Sequence, residues 1–400
     1  MIRPKIFSFF SGCGFLDLGF ENSGYDIVYV SEIFSPFMAA YRYSRMNRNS
    51  PLPEFGYHEG KSGDVSKLVE ESEAKRLQEI INSCRKSTNI IGFIGGPPCP
   101  DFSVGGKNLG HLGDNGQLSA AYIELICQQQ PDFFLFENVK GLWKTKKHRS
   151  FYDSLKLKLQ LAGYILTDHL INAIEYGVPQ DRERIILIGF KNNFLDNLGV
   201  SRSNINFGVE LKFPWQNYIL YPQRIVSSYP WSKCQPFSEN SILLCPKEIP
   251  QELTVEYWFR KNDVLNHPNS RHYFQPRAAR EKFASIEEGD DSKKSFKRLH
   301  RWRYSPTACY GNNEVHLHPY QVRRISAAEA LAIQSMPKDF ILPDEMSLTN
   351  MFKTIGNGVP YLASKAIART IIDFINKPNL CNNLQLDIVY KPLQPSPIFK

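Results

Sequence analysis

Along the first 190 residues, short apolar runs alternate with stretches whose apolar residues recur at three- and four-residue spacing. The runs Lys5–Phe10, Ile27–Ser31, Ile90–Gly95, Phe133–Phe136 and Arg184–Phe190 read as strands buried on both faces. Ser66–Ser83, Ser119–Gln129 and Phe151–Leu161 read as amphipathic helices. This alternation predicts a doubly wound, Rossmann-like α/β sheet. Such sheets bind ligands outside the carboxyl ends of their strands, so chemistry is expected directly after each apolar run.

After Phe190 the pattern weakens. Residues 191–280 are rich in Pro, Asn, Ser and aromatics, among them Trp215, Tyr218, Tyr221, Trp231, Tyr257, Trp258 and Phe259. They predict a second, smaller, loop-rich domain whose rings are mostly core. Helical periodicity returns at Ser326–Gln334 and Val359–Asn376, and the Asn- and Pro-rich end reads as a tail. The expected division is 1–190, completed by about 345–376, then 191–344, with a tail over 377–400.

A chain of 400 residues that is 42% hydrophobic and 22% charged fits an ordinary globular protein of more than one core. No run approaches 18 uncharged apolar residues, and the N-terminus lacks a signal-peptide pattern, so a cytoplasmic protein without a membrane span is expected. Eight scattered cysteines without a Cys-x-x-Cys pair suggest neither a metal site nor a disulfide framework; most are expected to be buried thiols. The net charge of +8 is concentrated: residues 191–325 carry 20 Lys and Arg against 13 Asp and Glu, while residues 1–190 balance at 21 each. A basic block of this kind suits a polyanion.

Four motifs follow the strands. Phe10-Ser11-Gly12-Cys13-Gly14 is a glycine turn at a helix start, and Glu32 closes the second strand about twenty residues on. That pair suits an adenosyl cofactor, with the carboxylate on ribose hydroxyls, but it would equally serve a dehydrogenase. Gly96-Pro97-Pro98-Cys99-Pro100 holds a thiol between prolines, the rigidity a nucleophile needs, and leads into a glycine-rich segment that reads as a lid. Phe136-Glu137-Asn138-Val139 brings a carboxyl to the end of a very apolar strand, where a raised pKa would suit a proton donor. In Gln180-Asp181-Arg182-Glu183-Arg184, alternation places two guanidiniums on one face.

In this order and spacing the motifs resemble those of the cytosine-C5 DNA methyltransferases of bacterial restriction–modification type. The resemblance continues in Gly177-Val178-Pro179, in Ser326–Pro337 and in Ile355-Gly356-Asn357-Gly358-Val359-Pro360, covering most of residues 5–190 and 298–372. It implies an S-adenosyl-L-methionine-dependent methyltransferase sheet with a target-recognition domain, acting on a cytosine flipped out of double-stranded DNA. Cys99 would attack C6, Glu137 would bond the N3 and amino edge, and Arg184 the O2 side, with Arg182 in support. Phe10, Gly12, Gly14, Glu32 (ribose), Asp64 (adenine), Pro98, Leu118, Asn357 and Val359 would form the cofactor pocket. A lone asymmetric reader needs no symmetric partner, so a monomer is expected, with no metal. The restriction–modification likeness leaves room for a cognate restriction endonuclease acting on the same site without a stable complex, whose existence the sequence does not give.

Two departures stand out. Phe15 occupies the place of a usual second family glycine, and Ala328 and Ala332 replace common arginines. For DNA contacts, Ser103 lies at the lid root, and Lys293–Arg303 packs six Lys and Arg into eleven residues; Lys297, Arg298, Arg301 and Arg303 are expected on phosphates. Lys140–Arg149 is a weaker candidate. The competing readings are a tRNA cytosine methyltransferase of the same family, an inactive DNA-binding relative, and a nucleotide-dependent oxidoreductase, which leaves the Pro-Pro-Cys loop unexplained.

Overall fold

The computed structural model describes residues 3–56, 63–88, 90–98, 114–200, 211–276, 280–310 and 314–376. Seven strands form one sheet: β1 (Lys5–Phe9), β2 (Asp26–Ser31), β3 (Phe55–Gly56), β4 (Ile91–Gly95), β5 (Phe133–Val139), β6 (Tyr164–Asn172) and β7 (Glu183–Lys191). Flanking them in the first half are α1 (Phe15–Glu21), α2 (Ser35–Asn47), α3 (Glu71–Arg85), α4 (Asp114–Gln129), α5 (Lys140–Lys144), α6 (Lys146–Leu161) and α7 (Asn192–Asn197). Later come α8 (Gln223–Val226), α9 (Val255–Lys261), α10 (Arg280–Ala284), α11 (Ala327–Ile333), α12 (Leu348–Asn357) and α13 (Tyr361–Asn376).

The strand order is β3-β2-β1-β4-β5-β7-β6. The first five strands run parallel, and β7 is antiparallel to both β5 and β6. Because β7 runs backwards, its first residues lie beside the last residues of β5, with Arg184 opposite Val139. One edge of the sheet therefore carries the ends of β1, β2, β4 and β5 together with the start of β7.

All five expected strands are present. Near-total burial of Ile91–Gly95 and Phe133–Phe136 follows from helices covering both faces. The β6 strand was not anticipated: Thr167, Asp168 and His169 interrupt its apolar run, and its pairing with β7 along nine residues supplies what local pattern does not. Helix α1 starts where the glycine turn places it, directly after Gly14, while α2 and α12 are not among the helices read from the sequence. The expected helix at Ser66 begins only at Glu71, and Val359 lies just before α13.

The region after Phe190 is loop-rich, with helices of four to seven residues. Its rings are mainly core: Trp258 and Phe259 are buried, and Trp215 and Tyr218 pack against the sheet cluster that contains Phe190 and Phe374. Part of this region shares a core with the first lobe, since Val255, Trp258 and Leu299 cluster with Phe15, Leu18, Ile333 and Phe352. The 377–400 tail lies outside the described residues. Among the six described cysteines only Cys13 and Cys84 are buried, while Cys234 and Cys309 are exposed. The expectation that most are buried does not hold for these six: Cys309, for example, lies on the outward face of a segment whose Ala308 and Tyr310 are packed in the core. No helix among the described residues is long and apolar enough to cross a membrane.

Candidate active site

Glu137 is the penultimate-but-one residue of β5 and is 7% exposed. It stands opposite Ile186, so Arg184, two positions away on β7, is its diagonal neighbour on the same sheet face. Arg184 Nε lies 3.1 Å from Glu137 Oε1, both side chains being largely buried. Burial raises the Glu137 pKa above the ordinary carboxyl range, opposed first by Arg184 and then by Arg182. The carboxyl is thus held beside a guanidinium in a dry setting, where it can keep a proton and deliver it.

The loop after β4 approaches this pair closely. A Cβ on Gly96 would sit 2.8 Å from Glu137 Oε2, so any side chain there would have to displace the Glu137 carboxyl. Pro97 is buried and Pro98 exposed. Cys99 and Ser103 lie outside the described residues, three and seven positions beyond this contact.

Arg182 does not share a target with Arg184. Its guanidinium is 1% exposed and is spent on main-chain carbonyls: Nη1 donates to Ala308 (3.1 Å), and Nη2 to Gly356 (2.8 Å) and Gly358 (3.1 Å). Beside it, buried Gln180 accepts from the Ala308 amide (3.0 Å) and donates to Gln334 Oε1 (3.2 Å); Gln334 in turn donates to Ile355 (2.6 Å). These groups fasten the β6–β7 connection to the 305–310 segment and to the end of α12. The sequence signal was present in Gln180 and Gln334, whose amides sit amid apolar neighbours, but their partners are about 150 residues apart.

At the other end of the edge, Phe10 has φ 53°, Gly12 φ 55° and Gly14 φ 89°, so the chain turns sharply from β1 into α1. A Cβ on Gly14 would press 2.8 Å from the Tyr41 ring. Glu32, buried at the end of β2, accepts from Gly12 N (2.9 Å) and Phe34 N (2.8 Å). Burial raises its pKa, while those amides pull it down. Gly63 passes so near the end of β2 that a Cβ would lie 2.5 Å from Glu32 N, which sets Asp64 beside the same strand end. Asp64 Oδ1 accepts from Ser66 N (3.0 Å) and Ser66 Oγ (2.7 Å).

Leu118 is half-buried on α4, Asn357 is exposed at the end of α12, and Val359 is buried after it. Gly12 faces this end of α12, with Thr354 Oγ1 3.9 Å from where its Cβ would be. Ile33, 60% exposed, and Phe34, 37% exposed, were not singled out from sequence; they offer apolar surface next to Glu32. The donor and acceptor set, with its glycine-permitted turns, suits a ribose-bearing cofactor.

The phosphate-contact expectation is half overturned. Arg298 is 1% exposed: its Nε donates to Ile286 (2.8 Å), its Nη2 to Phe283 (2.5 Å) and its Nη1 to His318 and Gln321 carbonyls. Arg301 is 3% exposed and forms a two-pronged pair with Glu288, at 2.8 and 2.7 Å. Both guanidiniums are consumed inside the fold and cannot reach a phosphate. Lys297 and Arg303 are half-buried and remain accessible in part. In the Lys140–Arg149 run, Lys140 and Lys144 pair with Glu183, and Arg149 with Asp153.

Residues 4–373 match the family described as C-5 cytosine-specific DNA methylase. The chain is 55% identical over 373 residues to the Type II methyltransferase M.NmeDI of Neisseria meningitidis serogroup C, covering 93% of this chain and 84% of that protein. It is 28% identical to the Type II methyltransferase M.XorII of Xanthomonas oryzae pv. oryzae, over 94% and 86% of the two chains. Among solved structures, a DNA modification methyltransferase encoded within an Escherichia coli prophage superposes with a TM-score of 0.61 at 21% identity, over 94% of this chain and all of that one. The S. pombe Dnmt2 methyltransferase gives 0.54 at 13% identity, over 94% and 99%. The last two likenesses concern the fold.

Proposed function

The chain belongs to the C-5 cytosine-specific DNA methylase family, and from that premise we propose how its residues divide the work. It is a DNA (cytosine-5-)-methyltransferase of the Type II restriction–modification class. The observation that carries the assignment of roles is the Glu137–Arg184 diagonal, with Gly96 laid against Glu137.

Cys99 is the nucleophile: its thiolate bonds to C6 of cytosine, and the electron pair displaced from the C5–C6 bond moves toward N3. Glu137, whose pKa burial raises, is the acid that delivers a proton to N3 as that charge develops. Arg184 holds the Glu137 carboxyl and addresses O2. S-adenosyl-L-methionine, when bound, supplies the electrophilic methyl that C5 takes. N3 then returns its proton to the Glu137 carboxylate, and loss of the C5 proton to a base restores the C5–C6 double bond and expels the Cys99 thiolate. A base stacked in a duplex cannot reach these groups, so the cytosine is flipped out, at a cost of a few kcal/mol.

The cofactor is held along the β1–β2 edge. Glu32 takes the ribose hydroxyls, Asp64 the adenine, and Phe10, Gly12, Gly14, Pro98, Leu118, Asn357 and Val359 line the remainder. Lys297 and Arg303 contact phosphates. The protein acts as a monomer on double-stranded DNA in the cytoplasm, protecting sites that a cognate endonuclease would cut.

The test is methyl transfer from radiolabelled S-adenosyl-L-methionine to duplex DNA, beside Cys99→Ser and a tRNA acceptor. Label in DNA that is lost in the variant supports the reading. Label on tRNA alone, or an active Cys99→Ser enzyme, overturns it.

A further inference from the structure

The loop before α9 carries two apolar side chains that the fold leaves in water. Ile242 is 93% exposed and Leu244 is 85% exposed, whereas Leu243 between them is half-buried. Scattered exposed leucines are common in globular proteins. Two on one short segment, almost wholly bare, are not explained by packing.

The backbone beneath them is braced from below. Asn240 N donates to Tyr320 O (2.8 Å). Arg301 donates to Ser241 through Nη1 to the carbonyl (2.6 Å) and Nη2 to the hydroxyl (2.9 Å). Trp302 Nε1 donates to Leu243 O (2.9 Å). Arg301 is itself fixed by Glu288 and lies 4.4 Å over the Tyr320 ring. A buried ion pair and an indole are thus used to hold one surface loop in place. Ordering a tip in advance lowers the entropy lost when it meets a partner.

The setting points to a polyanion. Residues 191–325 hold the chain's excess positive charge. Arg260, whose side chain is 69% exposed, lies with its guanidinium 5.4 Å over the Trp302 ring that anchors the tip. Its Nε donates to Glu256 Oε1 (2.8 Å), which orients the guanidinium and leaves its two terminal nitrogens for a phosphate. The bracing segment also leads to the active site. Four residues past Arg301, Ser305 bonds Pro179 and Asp181, and Ala308 bonds Gln180 and Arg182.

We propose that Ile242 and Leu244 form an apolar tip that packs against base edges and sugars in a groove of duplex DNA, with Arg260 on the adjoining phosphate. This deepens the reading of the protein as a DNA methyltransferase and rests on it. Apolar side chains recognise thymine methyls and flexible base steps, a contact that carries sequence information but little salt dependence.

The experiment compares full-length wild type with I242S/L244S and with R260A, on duplex DNA containing the methylated site and on DNA lacking it. Both variants change exposed residues, and thermal melts confirm that they fold. I242S/L244S is expected to raise KM for site-containing DNA about tenfold or more, leaving KM for S-adenosyl-L-methionine and the salt slope unchanged. R260A is expected to weaken both DNAs alike and to reduce the salt slope by about one. If wild type methylates DNA and I242S/L244S matches it in KM and site preference, the tip is not a DNA contact. Sedimentation showing a wild-type dimer that I242S/L244S disperses would assign the tip to a second copy and also overturn the proposal. If wild type methylates no DNA, the enzymatic reading itself fails.

Discussion

The ring of Phe15 occupies the space that a side chain at Gly358 would need. A Cβ on Gly358 would overlap Phe15 Cδ2, and the ring is closed on its other side by Phe340 at 5.2 Å, edge to face. Phe15 is 2% exposed, so the residue that departs from the family glycine is a packed strut between the β1–α1 turn and the end of α12. It joins two segments assigned to the cofactor pocket, and the departure is matched by a glycine across the contact.

That match predicts a coupled pair. Gly358→Ala should cost about 1–3 kcal/mol by overpacking. In a Phe15→Ala background, which removes the ring, the same substitution should cost under about 0.5 kcal/mol. Urea melts of the two single variants and the double variant measure this; additive costs would mean that the two residues do not share the space.

Glu137 should control the alkaline side of the pH–rate profile. Its raised pKa means that the protonated acid persists above the ordinary carboxyl range and is lost as pH rises through the shifted value. Glu137→Gln should lower kcat by about 10²–10⁴ and abolish that limb. Arg184→Ala removes the largest group opposing the shift, so its residual activity should persist to higher pH than wild type. A limb that moves to lower pH in Arg184→Ala would contradict the assignment.

Arg182 should behave as a positioning residue. A lysine cannot reach three carbonyls from segments around residues 308, 356 and 358 at once. Arg182→Lys should lower kcat about tenfold or more and reduce thermal stability, with KM for short DNA duplexes little changed. Unchanged kcat would show that the carbonyls need no shared donor.

The Glu288–Arg301 pair should give a pH-dependent contribution to stability. Burial opposes ionisation of Glu288, but hydrogen bonds from the Arg301 side chain and backbone offset it and hold its pKa below the usual range. Stability from this pair is therefore present above the unfolded-state value of about 4.3 and lost as pH falls through the depressed folded value. Glu288→Gln, which leaves Arg301 buried without its charge partner, should cost about 3–5 kcal/mol at pH 7. The difference from wild type should shrink below about pH 4, as followed by denaturant melts across pH.

Much of the active edge was legible in the chain because its information is local. An apolar run that ends in Phe136-Glu137 must bring the carboxyl to a strand end, and glycines at 12 and 14 permit the turn from β1. The strands buried on both faces announce themselves for the same reason. Strand β6 did not, since Thr167, Asp168 and His169 blur its period and its pairing lies elsewhere in sequence, whereas α12 carries Leu348, Met351, Phe352 and Ile355 at helical spacing, a signal the chain does display.

By itself the sequence determined five of the seven strands, the order of the motifs and the family, since these rest on neighbouring residues and fixed spacing. The tertiary structure alone decided what each arginine does. Arg184 meets Glu137 because β7 runs antiparallel to β5, while Arg182, one alternation away, is spent on carbonyls about 125 and 175 residues distant. Arg298 and Arg301 sit in a run that looks like a phosphate-binding surface, yet carbonyls from Phe283 and His318 and the carboxylate of Glu288 draw both inside. A charge on a chain has no direction until the fold supplies its partners, because burial of a guanidinium is settled by groups that only folding brings within hydrogen-bond reach.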